Sequence, residues 1–178
     1  MVGYTPVYAY DMQPSGFGVS TVNTNPPVTQ MMYQGAISKF GTPAGACPAN
    51  PCAADEKCGS SGYCIPVIPH CTGKNISDCP AYTLSPVIPS DMISEKDTTA
   101  PPVNGDSPGQ SVWVDYYTSQ GRMGNETALV NDSVTGYQSD FSSGWTAPSS
   151  AAGEARIWAV VHTNRGGTAW VFQDVFID

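Results

Sequence analysis

Strict alternation of apolar and polar positions runs through three stretches of the C-terminal half. Ser111-Val-Trp-Val-Asp-Tyr-Tyr-Thr118 places Val112, Val114 and Tyr116 on one side and Trp113, Asp115 and Tyr117 on the other. Glu154-Ala-Arg-Ile-Trp-Ala-Val-Val-His-Thr163 puts Arg156, Trp158, Val160 and His162 together on one side. Thr168-Ala-Trp-Val-Phe-Gln-Asp-Val-Phe-Ile177 is a third such stretch, and Asn164-Arg-Gly-Gly167 supplies a turn between the second and third. A period of two is the signature of half-buried strands, and a short glycine-containing loop joins two of them as a hairpin. Weaker strand patterns cover 82–88, 127–134 and 136–141. All four tryptophans fall after residue 81, so the main core is expected there.

The pattern divides the chain into three. Residues 1–46 hold short apolar runs without helical period, interrupted by Pro6, Pro14, Pro26 and Pro27, and carry only two charged residues, Asp11 and Lys39. A solvated linker would be polar. This extended segment is expected to pack on the rest of the chain, to add as a strand to a neighbouring copy through Tyr4, Val7, Tyr8, Tyr10 and Phe17, or to be disordered. Residues 47–80 hold all six cysteines: Cys47, Cys52, Cys58, Cys64, Cys71 and Cys79. Residues 81–178 have the length of one β-sandwich. The fold class expected is therefore all-β: an Ig-like sandwich behind a small disulfide-rich module and an extended N-terminal segment.

An even number of cysteines in so short a stretch, with little core-forming bulk between them, reads as a disulfide framework, and fifteen pairings are open. The gaps of four, five, five, six and seven residues lack the two close pairs a structural zinc site uses. No Cys-x-x-Cys occurs for redox or haem chemistry. Ala-Gly-Ala before Cys47 is not preceded by an apolar block, so that cysteine is read as a bridge partner rather than a lipid anchor. Disulfides persist in oxidising compartments, so the expected location is extracellular or at the cell surface. The first residues do not form a secretion signal, and removal of a signal upstream of this numbering is the expectation.

Composition narrows the function. Charged residues are 12 % of the chain, and 18 glycines and 16 prolines favour turns over helices. A net charge of −8 with dispersed basic residues repels a phosphate backbone, so no nucleic-acid partner is expected. No run is long and apolar enough for a membrane span.

A catalytic constellation is equally hard to find. The two histidines, His70 and His162, have no Gly-x-Ser-x-Gly elbow to serve. Asp106, Asp115, Glu126, Asp132 and Asp140 form no calcium loop of the Asp-x-Asp-x-Asp-Gly kind and no evident glycosidase pair. Phosphate-cradling glycine loops are missing. Neither an enzyme, a cofactor nor a metal is expected. Asn75, Asn125 and Asn131 each begin an Asn-x-Ser/Thr triplet, the acceptor for glycans in eukaryotic secretion.

Two resemblances add to this. Pro51-Cys52 through Cys64-Ile-Pro66 resembles the EGF-like cysteine-rich repeats of extracellular proteins, which implies a stalk or spacer. Trp145-Thr-Ala-Pro148, Gly153, Ile157-Trp-Ala-Val-Val161 and Asn164-Arg-Gly-Gly167 resemble the ending of bacterial immunoglobulin-like domains of the PKD/cadherin-like type. That family implies a spacer or binding module without chemistry of its own. The aspartate usual before its Gly-Gly turn is replaced here by Asn164-Arg165. Together these lead to an extracellular structural or adhesive protein, a surface-layer, fibre or pilus subunit that self-associates or meets other surface proteins. The alternative is a carbohydrate-binding or adhesin module in which Trp113, Tyr117 and Trp158 stack on sugar rings.

Overall fold

A computed structural model describes residues 28–37, 47, 49, 51–89, 93, 96, 101–102, 108–132, 135–164 and 166–178. Tyr4, Val7, Tyr8, Tyr10 and Phe17 lie outside the described residues, as does Asp106. The chain is an all-β sandwich with a disulfide-rich module. In chain order the strands are β1 (Met31–Tyr33), β2 (Ala36–Ile37), β3 (Glu56–Cys58), β4 (Cys64–Ile68), β5 (Ala81–Pro86), β6 (Val112–Thr118), β7 (Arg122–Met123), β8 (Thr127–Asp132), β9 (Gly136–Tyr137), β10 (Ser143–Thr146), β11 (Gly153–Thr163) and β12 (Thr168–Ile177). One sheet runs β2-β1-β5-β10-β7 and the other β3-β4-β12-β11-β6-β8-β9.

The alternating stretches form the centre of the seven-stranded sheet. β11 pairs antiparallel with β12 from Gly153–Ile177 to His162–Thr168, and with β6 on its other side. The hairpin closes through Thr163 N–H to Gly167 O, Gly166 N–H to Thr163 O and Gly167 N–H to Thr163 Oγ1. Val112, Val114, Tyr116, Ala155, Ile157, Ala159, Val161, Val171 and Val175 are buried on the inner side. Leu84, Met123 and Trp145 from the five-stranded sheet join the same core cluster.

The main core lies in the expected segment, joined by Val28, Met31 and Ile68 from earlier in the chain. Tryptophans do not as a group mark the core: Trp145 alone is fully buried, Trp113 and Trp158 are half-buried, and Trp170 is 59 % exposed. β11 offers Ala155 and Ala159 inward, small side chains that leave volume for Trp145 and Tyr82 from across the sandwich, and the other three indoles sit at outward parity. Two expected strands are also shorter than their apolar patterns: 82–88 gives way to Ala81–Pro86, and 136–141 to Gly136–Tyr137, after which Tyr137 and Phe141 meet edge-on with centroids 6.1 Å apart.

Strands from all three stretches of sequence share the two sheets. β1 pairs antiparallel with β5, Val28 and Met31 are buried, and Tyr33 stacks on Tyr82 with centroids 6.2 Å apart. The last part of the N-terminal segment therefore contributes to this chain's own core. From the cysteine module, β4 pairs parallel with β12 at Phe176–Val67 and Ile177–Ile68. Cys71 N–H donates to Pro148 O at 2.8 Å, and Glu154 accepts from Ser60 N–H at 2.7 Å and Ser60 Oγ at 2.6 Å.

The bridges are Cys47–Cys58, Cys52–Cys64 and Cys71–Cys79, with Cα separations of 5.7, 5.5 and 5.4 Å. The sulfurs of Cys47, Cys52 and Cys64 lie within 4.8 Å of one another, but each is already committed to a bridge, leaving no thiolate among them for a metal. Among the described residues no helix is long and apolar enough to cross a membrane.

Cys52–Cys64 closes a loop of sequence separation 12, for which loop-closure entropy gives about 3 kcal/mol. The double variant Cys52→Ala/Cys64→Ala is expected to lower the urea midpoint by a corresponding amount. An unchanged midpoint would show that the parallel pairing with β12 holds this module unaided.

Candidate functional site

Parity along β6, β11 and β12 decides what faces outward from the seven-stranded sheet. Trp113, Asp115 and Tyr117 come from β6, and Arg156, Trp158, Val160 and His162 from β11. Trp170, Phe172, Asp174 and Phe176 come from β12. Register then sets neighbours: Trp158 lies between Tyr117 and Phe172, His162 opposite Trp113, and Val160 between Asp115 and Trp170. β8 adds Leu129 beside Trp113 and Thr127 beside Asp115. Trp113, Tyr117 and Trp158 thus share one aromatic surface. Trp170 and Leu129 extend it; Trp170 was legible as outward only once β12 had a register.

The rings are not equally available. Trp113 stacks on His162 at 5.3 Å between centroids, so one of its faces is occupied. Phe172 is covered by the Arg156 guanidinium, 4.0 Å from the ring centroid, and stacks on Trp170 at 5.7 Å. Lys57 lies 4.0 Å from the Phe176 ring centroid. Tyr117, 50 % exposed, and Trp170 are the most open of the set.

Polar groups on this face are tied to one another. Arg156 donates from Nε to Asp174 Oδ1 at 2.5 Å and from Nη2 to Oδ2 at 2.8 Å, a bidentate pair with Asp174 almost wholly buried. Asp115 accepts from Thr127 Oγ1 at 2.6 Å, and its other oxygen is 3.2 Å from His162 Nε2. Thr168 Oγ1 lies 3.4 Å from His162 Nδ1. Burial pushes the His162 pKa down, with the Asp115 charge opposing only part of that effect. Burial first and Asp115 second push the Tyr117 phenol up, so it faces solvent as a neutral hydroxyl.

At the Tyr117 end the face runs into a bay of about 650 Å³ lined by Asp115, Tyr117, Thr118, Arg122, Glu126 and Thr127, among others. Its floor is the β6–β7 turn, which is fixed from below. Trp145 Nε1 donates to Gln120 O at 2.9 Å and Thr118 Oγ1 at 3.1 Å, while Gln120 Nε2 donates to Ala152 O and Glu154 O. Gly121 has φ +81°, and a Cβ there would come within 2.7 Å of Trp145 Nε1. Asp115 and Glu126, separate in sequence, line this one bay; their distance apart is set by the β6–β8 register.

The remaining singled-out residues scatter. His70 Nδ1 sits 2.6 Å from Asp178 O at the junction of module and sandwich. Asp140 accepts from Ser142 N–H and Oγ, which holds its carboxyl below its ordinary range, and Asp132 accepts from Thr135 N–H. Of the three glycan triplets, Asn75 and Asn125 are exposed, whereas Asn131 is buried with its amide donating to Gln110 O at 2.6 Å. Comparison of the chain with protein-family models, curated proteins and solved structures gives no match.

His162 provides a pH readout of this face. Because the folded state holds the ring neutral, the unfolded chain binds the proton more readily. Stability is therefore full above the ordinary value of about 6.5 and falls as pH drops through that value towards the lower folded pKa. Urea midpoints measured between about pH 7.5 and pH 5 are expected to decline, and His162→Gln to flatten the slope across that window. Equal slopes in the two proteins would contradict this assignment.

Proposed function

We propose that this chain is an extracellular adhesive module that binds carbohydrate through the aromatic outer face of its seven-stranded sheet. The observation carrying the reading is the meeting of Trp113, Tyr117 and Trp158 on adjacent strands, beside a bay rich in hydroxyl and carboxylate groups. Sugars present apolar C–H faces and hydroxyl edges, and aromatic rings flanked by fixed polar groups complement both. Three disulfides support an extracellular setting, since such bridges persist where the medium is oxidising. The likeness to PKD/cadherin-like and EGF-like modules fits the same proposal of a spacer that carries a binding face.

Ring geometry ranks the contacts. Tyr117, 50 % exposed, is the principal stacking residue; Trp158, half-buried between Tyr117 and Phe172, and Trp113, with one face on His162, contribute less. In isothermal titration against a glycan panel, Tyr117→Ala is expected to weaken binding about tenfold, and Trp158→Ala and Trp113→Ala each by less. Tryptophan fluorescence that no glycan alters would end the carbohydrate reading.

A second reading is self-assembly through the N-terminal segment, of which residues 31–37 form β1 and β2 at the edge of this chain's own five-stranded sheet. The segment that would reach a neighbour is 1–27, because Val28 and Met31 belong to this chain's core. Deletion of residues 1–27 is expected to leave a folded monomer by light scattering, whereas deletion through residue 40 would also unfold the five-stranded sheet edge. Assembly that persists without residues 1–27 would dispose of the strand-addition mechanism.

A further inference from the structure

The chain has seven lysines and arginines against fifteen acids, and two of the seven line one cleft. This cleft, about 360 Å³, lies between the Cys71–Cys79 loop and the corner at Ala147-Pro148. Lys74 reaches it from the disulfide loop and Arg122 from β7, joined by Asn75 and Ser149. Among the described residues that line it none is acidic, and neither cation has a carboxylate partner among the described residues.

Both cations stand on a fixed backbone. Each follows a glycine with no room for a side chain. A Cβ on Gly73 would lie 2.7 Å from Asp78 Cβ and 3.0 Å from Cys79 Sγ, and one on Gly121 would meet Trp145 Nε1. The Cys71–Cys79 bridge closes the loop carrying Lys74, and Asn75 N–H donates to Asp78 Oδ2 at 3.0 Å within it. The Trp145 indole secures the turn leading into Arg122. Backbone positions so held reduce the ordering cost of presenting two charges to one ligand.

Arg122 and Gly121 line this cleft and also the bay containing Tyr117, so the two hollows adjoin at Arg122. We propose that the cleft receives the carboxylate or sulfate of an acidic saccharide whose neighbouring ring rests against Tyr117. This rests on the carbohydrate reading above and specifies the ligand's charge. The planar guanidinium of Arg122 suits two oxygens of one anionic group, and Lys74 adds a point charge. The overall negative charge does not forbid this. Screening at physiological salt limits exposed charges to about 8 Å, so the acids that oppose the two cations are the near ones: Asp78, which is held by Asn75 at 3.0 and 3.2 Å, and Asp115 and Glu126, which line the adjoining bay with Arg122. Glu126 and Asp115 in the bay accept hydroxyl hydrogens of the sugar.

The test is titration of the whole chain, followed by amide NMR shifts, with a hexa-uronate, a neutral hexasaccharide and inorganic sulfate. The uronate is expected to bind about tenfold tighter than the neutral oligomer at about 50 mM salt, with the gap closing near 500 mM. Lys74→Gln is expected to remove roughly three- to tenfold of uronate affinity and leave neutral binding unchanged, Arg122→Gln to cost the uronate more than the neutral oligomer, and Tyr117→Ala to weaken both. Equal affinity for charged and neutral oligomers, with both cation variants silent, would overturn the acidic-ligand inference and leave the aromatic face as a neutral-sugar site. Sulfate alone matching the uronate would overturn the saccharide component. Failure of every saccharide to shift the Tyr117 region would overturn both readings together.

Discussion

The spacing between the two sheets governs this molecule. Facing sheets pack about 10 Å apart, and each position on β11 that points inward must fit that gap against a residue from the other side. Ala155, Ile157, Ala159 and Val161 fill the inner positions of β11, and Trp145 with Tyr82 answers from the five-stranded sheet. Parity does the rest: with inner positions given to small and branched side chains, Trp158, Trp113 and Trp170 stand on the opposite surface. The same alternation that makes the core thus builds the exposed aromatic face.

Trp145 links that core to the site. Its ring lies wholly in the interior, while its one polar atom is spent on Gln120 O and Thr118 Oγ1 in the turn that floors the bay. A buried indole N–H without a partner would be costly, and here its satisfaction also fixes a surface loop. The outer face is organised in a comparable way: Arg156 holds Asp174 and covers Phe172, and Asp115 accepts from Thr127 with its other oxygen 3.2 Å from His162 Nε2. Most of its charged groups are thus engaged with each other, which leaves Tyr117 and Trp170 as the open apolar elements.

Long strands were plain in the sequence because eight or more residues of alternation outweigh any local irregularity, and the composition of the outer face followed from parity. That Trp113, Tyr117 and Trp158 sit on outward-facing positions could be read strand by strand. Their meeting could not, since it depends on a register that only the paired ladder supplies. β1, β2, β7 and β10 have two to four residues each and owe their extended form to a neighbour, so propensity alone did not reveal them. Lys74 and Arg122, 48 positions apart by number, come together only through the loop bridge and the β10–β7 pairing.

The position of β12 has a mechanical consequence. It is flanked by β11 along ten residues on one side and by β4, running in the same direction, on the other. Tension applied along β12 would load the long ladder to β11 lengthwise, so that many hydrogen bonds share the force and must break nearly at once. A strand at a sheet border pulled across its ladder would instead give way one bond at a time. Pulled along this strand, the sandwich would therefore resist force better than through any of its border strands.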